Sequence, residues 1–565
     1  MLAQLDLVTY ANVFTAIMRY GTPLLAGILL LRCAWPLLTS CPEPEIWAWL
    51  VLPNGERVAI RHWENVLGRG RNCDIVLQFP TVSRNHAVLT RYDDGTWTIS
   101  DADSKGGTMV NGQKIDICPI FAGDLLQMGG VELSFLPATA QQEVVLANLR
   151  SKASTSLRSI SNLFILSLLQ ICGCVGYLLS GANTNQILIG WMGLLSLQWL
   201  LLVFYLLIRR PAFEVETLAF LLCTMGMAVI STVTPGETVK QLVAVVLGVF
   251  LFLIVGWSMR DLGRAKVIRY VAAVVGAALL VATLLFGDTY YGAKNWLTIA
   301  GLTIQPSELA KICFVYVGAS SMDRLMKKRN LILFIAYTIM LCGFLALMND
   351  FGTALVFFLA FLVIAYLRSG SVGTVALACT ALVFAAVIGL KMAPHALQRF
   401  ATWRHIWEDP LGNGYQQTQS LMCIASGGLW GLGIGKGKMK YLFAADSDVV
   451  FATVAEEWGI VMMVILVLCI VVLVLFSVRS AQGGRSSFYV IGACTASAIL
   501  LVQTMLNVLG TVDVLPLTGV TFPMLSNGGS SMLSVWGLLS FIKAADTRQN
   551  ASFAVKLPGR REQDA

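Results

Sequence analysis

The sequence predicts a polytopic α-helical membrane protein with a β-sandwich inserted near its N-terminus, and three observations support this fold class. Hydrophobic residues make up 56% of the 565 residues and charged residues only 13%, about half the charge of a typical soluble domain. Uncharged apolar stretches recur along the chain, for example at 163–179, 187–207 and 461–476. Residues 45–137 are instead polar and contain a series of hairpin turns. About twenty apolar residues suffice for a helix that crosses a bilayer, and we expect about thirteen spans.

The first predicted element is a membrane anchor at residues 11–38. A cleaved signal peptide would begin with a basic segment and end in a small-residue cleavage site. Here Asp6 precedes Arg19, and no such site follows cleanly. We therefore interpret this segment as a retained anchor, with Arg19 and Arg32 inside it.

The second element is a β-rich domain at residues 45–137. The pairs Asn54-Gly55, Asp94-Gly95 and Asn111-Gly112 lie next to short runs that alternate apolar and polar residues. Asn-Gly and Asp-Gly supply the positive φ angles that tight hairpins require. Several short strands joined by such turns predict a β-sandwich.

The later elements are a basic linker at 138–161, two additional membrane helices at 162–210, a block of helices at 211–545 and a tail at 546–565. Lys and Arg concentrate in every second loop of the block and in the tail. The positive-inside rule therefore places these loops, the tail and the β-rich domain in the cytosol, and the long 393–447 loop outside. Because the basic residues cluster at the membrane edges, the net charge of +8 does not indicate nucleic-acid binding. The 13 cysteines show no paired spacing, so neither a disulfide framework nor a zinc site is predicted.

Polar residues inside the helical block are candidate functional residues, because they are costly at membrane depth. Pro306 suits the first position of a helix, and Glu308 then lies near the positive end of that helix. Glu308 and Lys311 are three residues apart, so they can pair on one helical face. The alternative is that this segment is only the interfacial start of a helix.

Four motifs carry a family resemblance. They are 305–308 (Gln-Pro-Ser-Glu), 349–354 (Asn-Asp-Phe-Gly-Thr-Ala), 407–420 (Trp-Glu-Asp-Pro-x-Gly-x-Gly-Tyr-Gln-x-x-Gln-Ser) and 528–531 (Gly-Gly-Ser-Ser). In this order they resemble the SEDS family, which includes RodA, FtsW and SpoVE, over residues 213–542. The resemblance implies a ten-helix SEDS core in the bacterial plasma membrane, preceded here by about three extra spans. It also implies that this core polymerises lipid II into glycan strands together with a class B penicillin-binding protein.

The family's essential acid falls on Asp409, which we predict to be the general base. A sugar hydroxyl must lose its proton as it attacks the anomeric carbon of a second sugar, and a carboxylate is suited to accept that proton. Glu408 could tune this acid, since adjacent carboxylates raise one another's pKa. The alternative is that Asp409-Pro410 only starts a turn.

The departing lipid pyrophosphate requires cationic groups. The candidates are Arg399, Lys311 and Lys440, the last together with Lys436 and Lys438. The three alternating lysines could equally form a solvated loop face. A divalent ion such as Mg²⁺ or Mn²⁺ could assist, and no cofactor beyond this ion is predicted. The other residues predicted to bind the substrate are Glu308, Trp296, Tyr415, Gln416, Gln419, Ser530 and Ser531.

Three loops of the β-rich domain resemble those of the forkhead-associated (FHA) domain, which binds phosphothreonine peptides. The loops are 68–69 (Gly-Arg), 83–86 (Ser-Arg-Asn-His) and 104–112 (Ser-Lys-Gly-Gly-Thr-Met-Val-Asn-Gly). The resemblance implies that Arg69 and Ser83 bind the phosphate, with Arg84 or Lys105 assisting. A phosphate dianion needs convergent arginine and hydroxyl donors on a rigid frame, which agrees with this assignment.

The expected partner of this domain is a phosphothreonine-containing protein, the substrate of a Ser/Thr kinase. His86 and Asn111 are interpreted as architectural residues of the loops. Gly106 stands where the family often has Asn, which contacts the backbone of the bound peptide. The alternative is a degenerate sandwich that serves only as a docking surface.

Two other functions remain open from the sequence alone. A translocase of lipid-linked precursors would use the same cavities and cations without needing Asp409 as a base. A non-catalytic scaffold of the wall-synthesis complex would depend only on Arg69 and Ser83. Thr518 stands where many division-type members carry Lys, which favours a role other than division.

Overall fold

The computed structural model of the chain describes residues 2–39, 46–70, 73–92, 95–139, 142, 155–180, 184–260, 262–290, 292–299, 302–319, 328–369, 372–373, 375–382, 394–484, 486–548 and 551. Most of the predicted linker at 138–161 and of the predicted tail at 546–565 lies outside these residues.

A bundle of long helices forms most of the structure. The helices are α1 Leu2–Thr39, α2 Ser156–Leu179, α3 Thr184–Leu207, α4 Glu214–Val233, α5 Thr238–Ser258, α6 Leu262–Phe286, α7 Pro306–Ala319, α8 Lys328–Leu347, α9 Phe351–Ser369, α10 Pro394–Thr402, α11 Tyr415–Gly427, α12 Val450–Gln482, α13 Ser487–Thr511 and α14 Gly529–Ala544. Within the described ranges, nine helices are long and apolar enough to cross a membrane. The predicted membrane fold class is therefore confirmed.

The β-rich domain is a sandwich of a six-stranded and a five-stranded sheet. Its strands are β1 Ala48–Val51, β2 Arg57–Ile60, β3 Glu64–Gly68, β4 Ile75–Val76, β5 Ala87–Arg91, β6 Trp97–Asp101, β7 Thr108–Val110, β8 Gln113–Ile115, β9 Ile117–Ile120, β10 Leu125–Met128 and β11 Val131–Pro137. The sheet orders are β2-β1-β11-β10-β7-β8 and β4-β3-β5-β6-β9. Asn111 and Gly112 join β7 to β8 with φ angles of 50° and 81°, as the hairpin pattern predicts. Trp97 and Phe135 close the core edge-to-face, with ring centroids 5.2 Å apart.

The three helices that precede the predicted core are tied to it by buried polar contacts. Helix α1 begins at Leu2, well before the predicted residue 11, and packs against α2 and α12. The charge of Arg32 inside this helix is accommodated by α2, because its Nε donates to Asn162 Oδ1 at 2.7 Å. Gln170 of α2 donates to Gln198 of α3 at 3.1 Å and to Thr224 of α4 at 2.9 Å. These amide bonds link the added helices to the core.

The β-sandwich contacts the helical bundle at the loop between α12 and α13. The buried carboxylate of Glu64, at the start of β3, accepts hydrogen bonds from the hydroxyls of Ser486, at 3.0 Å, and Ser487. His62 Nδ1 lies at hydrogen-bond distance from the Gly484 carbonyl. Ser486 also caps α13, since its Oγ accepts the Phe488 N–H at 3.2 Å. The sandwich is therefore seated on the bundle.

Several of the loops predicted to be external lie together at the opposite end of the bundle. The basic-loop pattern also predicts an external loop at 287–301, and this region contains a three-stranded sheet of β12 Asp288–Tyr290, β13 Ala293–Ile299 and β14 Leu302–Ile304. The 393–447 loop contains α10 and α11, whose side chains contact residues 510–517. This end of the bundle presents the candidate site.

Candidate functional site

Asp409 lies in a compact turn that leads into α11. Its Oδ2 accepts the Asn413 N–H at 2.9 Å, and its carbonyl accepts the N–H groups of Gly412, at 3.3 Å, and Gly414, at 3.1 Å. A Cβ at Gly412 would lie 2.7 Å from the Asp409 Cγ, so only glycine leaves room for the carboxylate. The carboxylate is solvent-exposed. The turn at Asp409-Pro410, which the sequence offered as an alternative to a catalytic role, is therefore present. It also orients the Asp409 carboxylate.

Glu408 points to a different partner from its neighbour. Its Oε1 lies 2.8 Å from His405 Nδ1, and both side chains are exposed. The two adjacent carboxylates of the motif thus have separate environments: Asp409 is held by backbone N–H groups and Glu408 by a histidine ring.

Helix α10 connects the Asp409 turn to the loop that precedes α14, through Gln398 and Arg399. Arg399 Nη1 donates to the Leu517 carbonyl at 3.2 Å. The neighbouring Gln398 donates from Nε2 to Asn413 Oδ1, inside the turn, at 2.8 Å. One helix, α10, therefore places a guanidinium and a contact to the Asp409 turn side by side.

Sequence reasoning did not select Asp448, which lies in the same region as Arg399. A Cβ at Gly519 would lie 3.4 Å from Asp448 Oδ2 and 3.8 Å from Arg399 Nη1, so both charges border that glycine. Burial raises the pKa of Asp448, and the positive charge of Arg399 partly offsets this effect. The acidic run at 446–448 was the available signal in the sequence.

A second group lies where α7 meets α14. Lys311 Nζ and Glu308 Oε2 are 2.7 Å apart, and the two side chains are 2% and 6% exposed, so the predicted pair is confirmed. Ser530 Oγ accepts the Gln305 N–H at 3.1 Å. Because Lys311 already neutralises Glu308 within the bundle, this pair is a buried internal bridge rather than a free cation.

Residues 513–521 contact both groups. Ser531 Oγ lies 2.8 Å from Thr521 Oγ1, while Leu517 accepts from Arg399. Asp513 Oδ1 accepts the Arg404 N–H at 3.2 Å. The Gln-Pro-Ser-Glu, Trp-Glu-Asp-Pro and Gly-Gly-Ser-Ser motifs, far apart in sequence, are therefore linked through one loop.

The glycine-rich run at 426–440 packs against a break in α12. Gly459 has φ 86° and ψ 163° within that helix, and its Cβ would lie 2.6 Å from the Gly431 nitrogen. Leu432 and Gly433 donate their N–H groups to the carbonyls of Glu456, at 2.8 Å, and Glu457, at 3.0 Å. The loop thus satisfies backbone groups that the broken helix leaves without an internal partner.

The lysines of this run differ in environment. Lys440 Nζ donates to the Gly435 carbonyl at 2.9 Å and lies 5.4 Å from the Tyr441 ring centroid. Lys436 and Lys438 are solvent-exposed. Among the described residues, Lys440 is therefore the one lysine of the three whose ammonium group is positioned by a hydrogen bond and an aromatic ring.

The other predicted substrate residues lie at the same outer end. Tyr415 is exposed at the start of α11, and Gln416 Nε2 donates to the Phe443 carbonyl at 3.2 Å. Gln419 and Trp296 are half-buried, the latter on β13. No group of three or more His, Cys, Asp or Glu side chains suited to a metal ion occurs among the residues that the structure describes.

The predicted phosphopeptide residues meet at one end of the sandwich. Arg69 donates its N–H to the Ser83 carbonyl at 2.9 Å, and Ser83 Oγ accepts the Lys105 N–H at 3.0 Å. The side chains of Arg69, Arg84 and Lys105 are all exposed. Ser83 thus contacts the backbones of Arg69 and Lys105 and is followed directly by Arg84.

His86 and Asn111 hold these loops, as predicted. His86 Nδ1 accepts the Ser83 N–H at 3.1 Å, and its Nε2 lies 3.2 Å from the Gly107 carbonyl. Burial lowers the pKa of His86, so the ring stays neutral and can accept from Ser83. Asn111 Oδ1 accepts the Leu125 N–H, and its Nδ2 donates to Asp124, both at 3.0 Å.

Comparison with known families assigns both parts of the chain. The sequence profile of the FtsW, RodA and SpoVE family, described as "Cell cycle protein", matches residues 207–551. The profile of the FHA domain matches residues 65–129. The first match spans the helices that follow α3, and the second lies within the sandwich.

Similar proteins and structures agree with these matches. "Peptidoglycan glycosyltransferase RodA" of Mycobacterium tuberculosis is 28% identical over 322 residues, which cover 54% of this chain and 69% of that protein. "Probable peptidoglycan glycosyltransferase FtsW" of Escherichia coli O157:H7 is 32% identical over 281 residues, which cover 47% and 67%. A chain solved in work on "Structural coordination of polymerization and crosslinking by a peptidoglycan synthase complex" shares the fold, with 24% identity, a TM-score of 0.50 and coverage of 58% of this chain and 96% of that chain.

Proposed function

Because the chain belongs to the FtsW, RodA and SpoVE family and carries an FHA domain, we propose that it is a peptidoglycan glycosyltransferase. It joins lipid II disaccharides into glycan strands, and its FHA domain makes this activity responsive to a phosphothreonine protein. The observation that carries the proposal is the Asp409 turn, which holds an exposed carboxylate beside the helix that bears Arg399.

The proposed reaction forms one glycosidic bond and breaks one bond to pyrophosphate, with inversion. A hydroxyl of the acceptor sugar attacks the anomeric carbon of the donor, and Asp409 takes the hydroxyl proton. A hydrogen bond from Asn413 to Oδ2 fixes the exposed carboxylate, and Oδ1 is the oxygen that would accept the proton. Positioned general bases contribute about a hundred- to ten-thousand-fold to a rate.

Cations nearby stabilise the departing lipid pyrophosphate. Arg399 fits this role best, since it lies at the outer surface beside the Asp409 turn. Lys440 is the second cation, held by a backbone carbonyl. Lys311 is bound to Glu308, so we propose that this pair shapes the cavity beside the substrate rather than binding pyrophosphate directly.

The remaining predicted residues line the same region. Tyr415 offers an exposed ring at the start of α11, and such rings contact sugar faces well because they combine an apolar face with a polar tip. Gln416, Gln419 and Trp296 supply further hydrogen-bonding groups. Ser530 and Ser531 fix Gln305 and Thr521, so they act by positioning the loops around the substrate.

The proposal is tested with Asp409→Asn, which keeps the shape of the side chain and removes its basicity. Purified protein is incubated with lipid II and the cognate class B penicillin-binding protein, and glycan chains are separated by length. We expect a loss of about a hundredfold or more, with normal membrane insertion. The matched control is Asp288→Asn, an exposed outer aspartate that accepts from Thr298 at 2.7 Å, and it should polymerise normally.

The alternative functions give different results in the same experiment. A precursor translocase would keep its transport function in Asp409→Asn and would form no glycan in any variant. A scaffold would form none either, and its cellular function would depend only on the phosphopeptide residues. Either outcome rejects the glycosyltransferase proposal.

The phosphothreonine site is tested separately. Arg69→Ala removes an exposed cation from the loop that bonds to Ser83, and it should abolish the preference for a phosphothreonine peptide over its threonine form. Arg61→Ala, an exposed arginine of the same domain outside the predicted loops, is the control and should retain it. Equal binding of both peptides by the unchanged protein would remove phosphothreonine recognition from the proposal.

We propose the orientation that follows from the basic loops, with the FHA domain in the cytosol and the Asp409 loop outside. The FHA domain contacts one end of the bundle through Glu64 and the loop before α13. The Asp409 turn lies in the loops at the opposite end. Impermeant thiol reagents applied to intact cells should label a cysteine introduced at Leu411 and not one introduced at Gln127.

A further inference from the structure

A cavity of about 540 Å³ opens between α3 and α5, and the proposed glycosyltransferase site does not use it. It is lined by five apolar residues and two arginines: Phe204, Ile208, Leu253, Ile254, Trp257, Arg210 and Arg260. Because α3 precedes the region matched by the family profile, the cavity lies between an added helix and the core.

The packing of α3 on α5 explains where the cavity forms. Near the N-terminal ends of both helices, glycines permit close approach: a Cβ at Gly190 would lie 2.5 Å from Thr238 Cγ2, and one at Gly193 would lie 3.1 Å from Leu242 Cδ1. Small residues bring membrane helices together in this way. At the C-terminal ends, large side chains meet instead and leave the cavity between them.

The cavity lies at the end of the bundle that carries the FHA domain. Tyr489, two residues after the start of α13, donates its hydroxyl to the Met259 carbonyl at 2.8 Å, directly before Arg260. Ser486 and Ser487 of the same region contact Glu64. The arginine pair is therefore close to the bilayer surface on the side that we propose to be cytosolic.

The walls suit a hydrocarbon chain. Phe204, Ile254 and Trp257 are 43%, 44% and 60% exposed. These side chains lie on a membrane-spanning surface, where exposed apolar groups face lipid rather than water. An acyl chain lying in this cavity would contact apolar side chains, as it contacts other acyl chains in the bilayer.

The end of the cavity near Arg210 and Arg260 is cationic. Arg210 is 6% exposed, and the buried Nε of Arg260 has no hydrogen-bond partner within the described part of the chain. The guanidinium of Arg264 lies over the Trp257 ring, 4.5 Å from its centroid. Arginine is suited to phosphate because its planar fork donates two parallel hydrogen bonds.

We propose that this cavity binds an anionic phospholipid, with its phosphate at Arg260 on the side that Arg210 makes cationic and an acyl chain along Phe204, Ile254 and Trp257. Basic pockets between membrane helices near the cytosolic surface recognise such headgroups by charge. At this end of the two helices a lipid would hold α3 against the core, in addition to the direct packing near their N-terminal ends.

The test measures lipid retention by native mass spectrometry of the full chain, released from micelles that contain phosphatidylglycerol and phosphatidylcholine in equal amounts. We expect the unchanged protein to retain phosphatidylglycerol preferentially. Arg260→Gln should lower that retention about tenfold, the effect of removing one charged hydrogen bond. Arg209→Gln, an adjacent exposed arginine that does not line the cavity, should retain the lipid.

A second pair of variants tests the apolar half of the site and does not alter its charge. Ile254→Trp fills the cavity and should also lose phosphatidylglycerol, whereas Leu207→Trp, on a side chain that is 77% exposed and outside the cavity, should not. Equal retention of the two lipids by the unchanged protein overturns the proposal. Unchanged retention in Arg260→Gln and Ile254→Trp, or preferential retention of a polyprenyl phosphate added to the micelles, overturns it as well.

Discussion

Adding one methyl group at position 412 tests whether the turn around Asp409 positions the carboxylate that we propose to be the general base. A Cβ at Gly412 would lie 2.5 Å from Asp409 Oδ1 and 2.7 Å from its Cγ, closer than the 3.0 Å that Cβ contacts normally require. Gly412 is not among the glycines with positive φ, so Gly412→Ala leaves the backbone unstrained. The carboxylate must therefore rotate away, and it loses its 2.9 Å bond from Asn413.

The structure sets the size of the effect. A hydrogen bond to a charged acceptor is worth about 1.5–3 kcal/mol, and each 1.36 kcal/mol corresponds to about tenfold in rate. The fraction of molecules with the carboxylate in its present position should fall by about ten- to a hundredfold. If that position is the reactive one, the rate falls by the same factor.

The assay is the initial rate of glycan strand formation from lipid II with the partner transpeptidase, normalised to correctly inserted protein. Gly343→Ala is the matched control, because a Cβ there meets nothing within 4 Å. Gly412→Ala at the full rate would refute the reasoning, since it would mean that the orientation of Asp409 does not matter. An equal loss in Gly343→Ala would attribute the effect to general damage.

Three further predictions concern other parts of the chain. Lys311→Met should lower the free energy of unfolding of the purified protein by about 3–5 kcal/mol, because it leaves the Glu308 carboxylate buried without its ion-pair partner. Adding Glu308→Gln to this variant should recover most of the lost stability. Glu64→Gln should weaken the contact between the FHA domain and the helical bundle, and backbone hydrogen exchange at the start of α13 should become faster. Glu56→Gln changes an exposed side chain of the same domain and should not have this effect. Burial lowers the pKa of His86 from 6.5, so the unfolded state takes up the proton first, and both the stability of the domain and its phosphopeptide affinity should fall as the pH drops below about 6.5.

Each of these three has a clear contrary result. An unstable double variant would show that Glu308 and Lys311 do not act as a pair. Unchanged exchange in Glu64→Gln would mean that the domain is held by other contacts. Phosphopeptide affinity that stays constant between pH 7 and pH 5 would show that protonation of His86 leaves the Ser83 loop intact.

Local patterns in the sequence predicted much of the fold and part of the site. Asn111-Gly112 fixes a hairpin because only a few residues adopt its φ angles, and the spacing of Glu308 and Lys311 puts both on one helical face. Such features depend on neighbouring residues, which the sequence shows directly. The turn at Asp409 was considered only as the alternative to a catalytic role, and neither the exposure of the carboxylate nor its bond to Asn413 was predicted.

Contacts between distant segments could not be predicted in the same way. Asp448 and Arg399 both border Gly519, and no periodicity of the sequence predicts this. The break at Gly459 lies between Glu457 and the apolar run that follows, and it becomes visible only when Gly431 is placed against it. The contact of the FHA domain with the bundle depends on Glu64, and nothing in the sequence around this strand residue distinguishes it.

Strand β3 joins the two ends of the FHA domain that matter for regulation. It begins at Glu64, on the bundle, and ends beside Arg69, at the predicted phosphate loop, a distance of about 16 Å for an extended chain. A phosphoprotein captured there would be held by a stiff spacer rather than a flexible tether. If that phosphoprotein also binds a second site on the bundle, this fixed reach sets the effective concentration for the second contact, and two weak contacts then give a tighter complex than either alone.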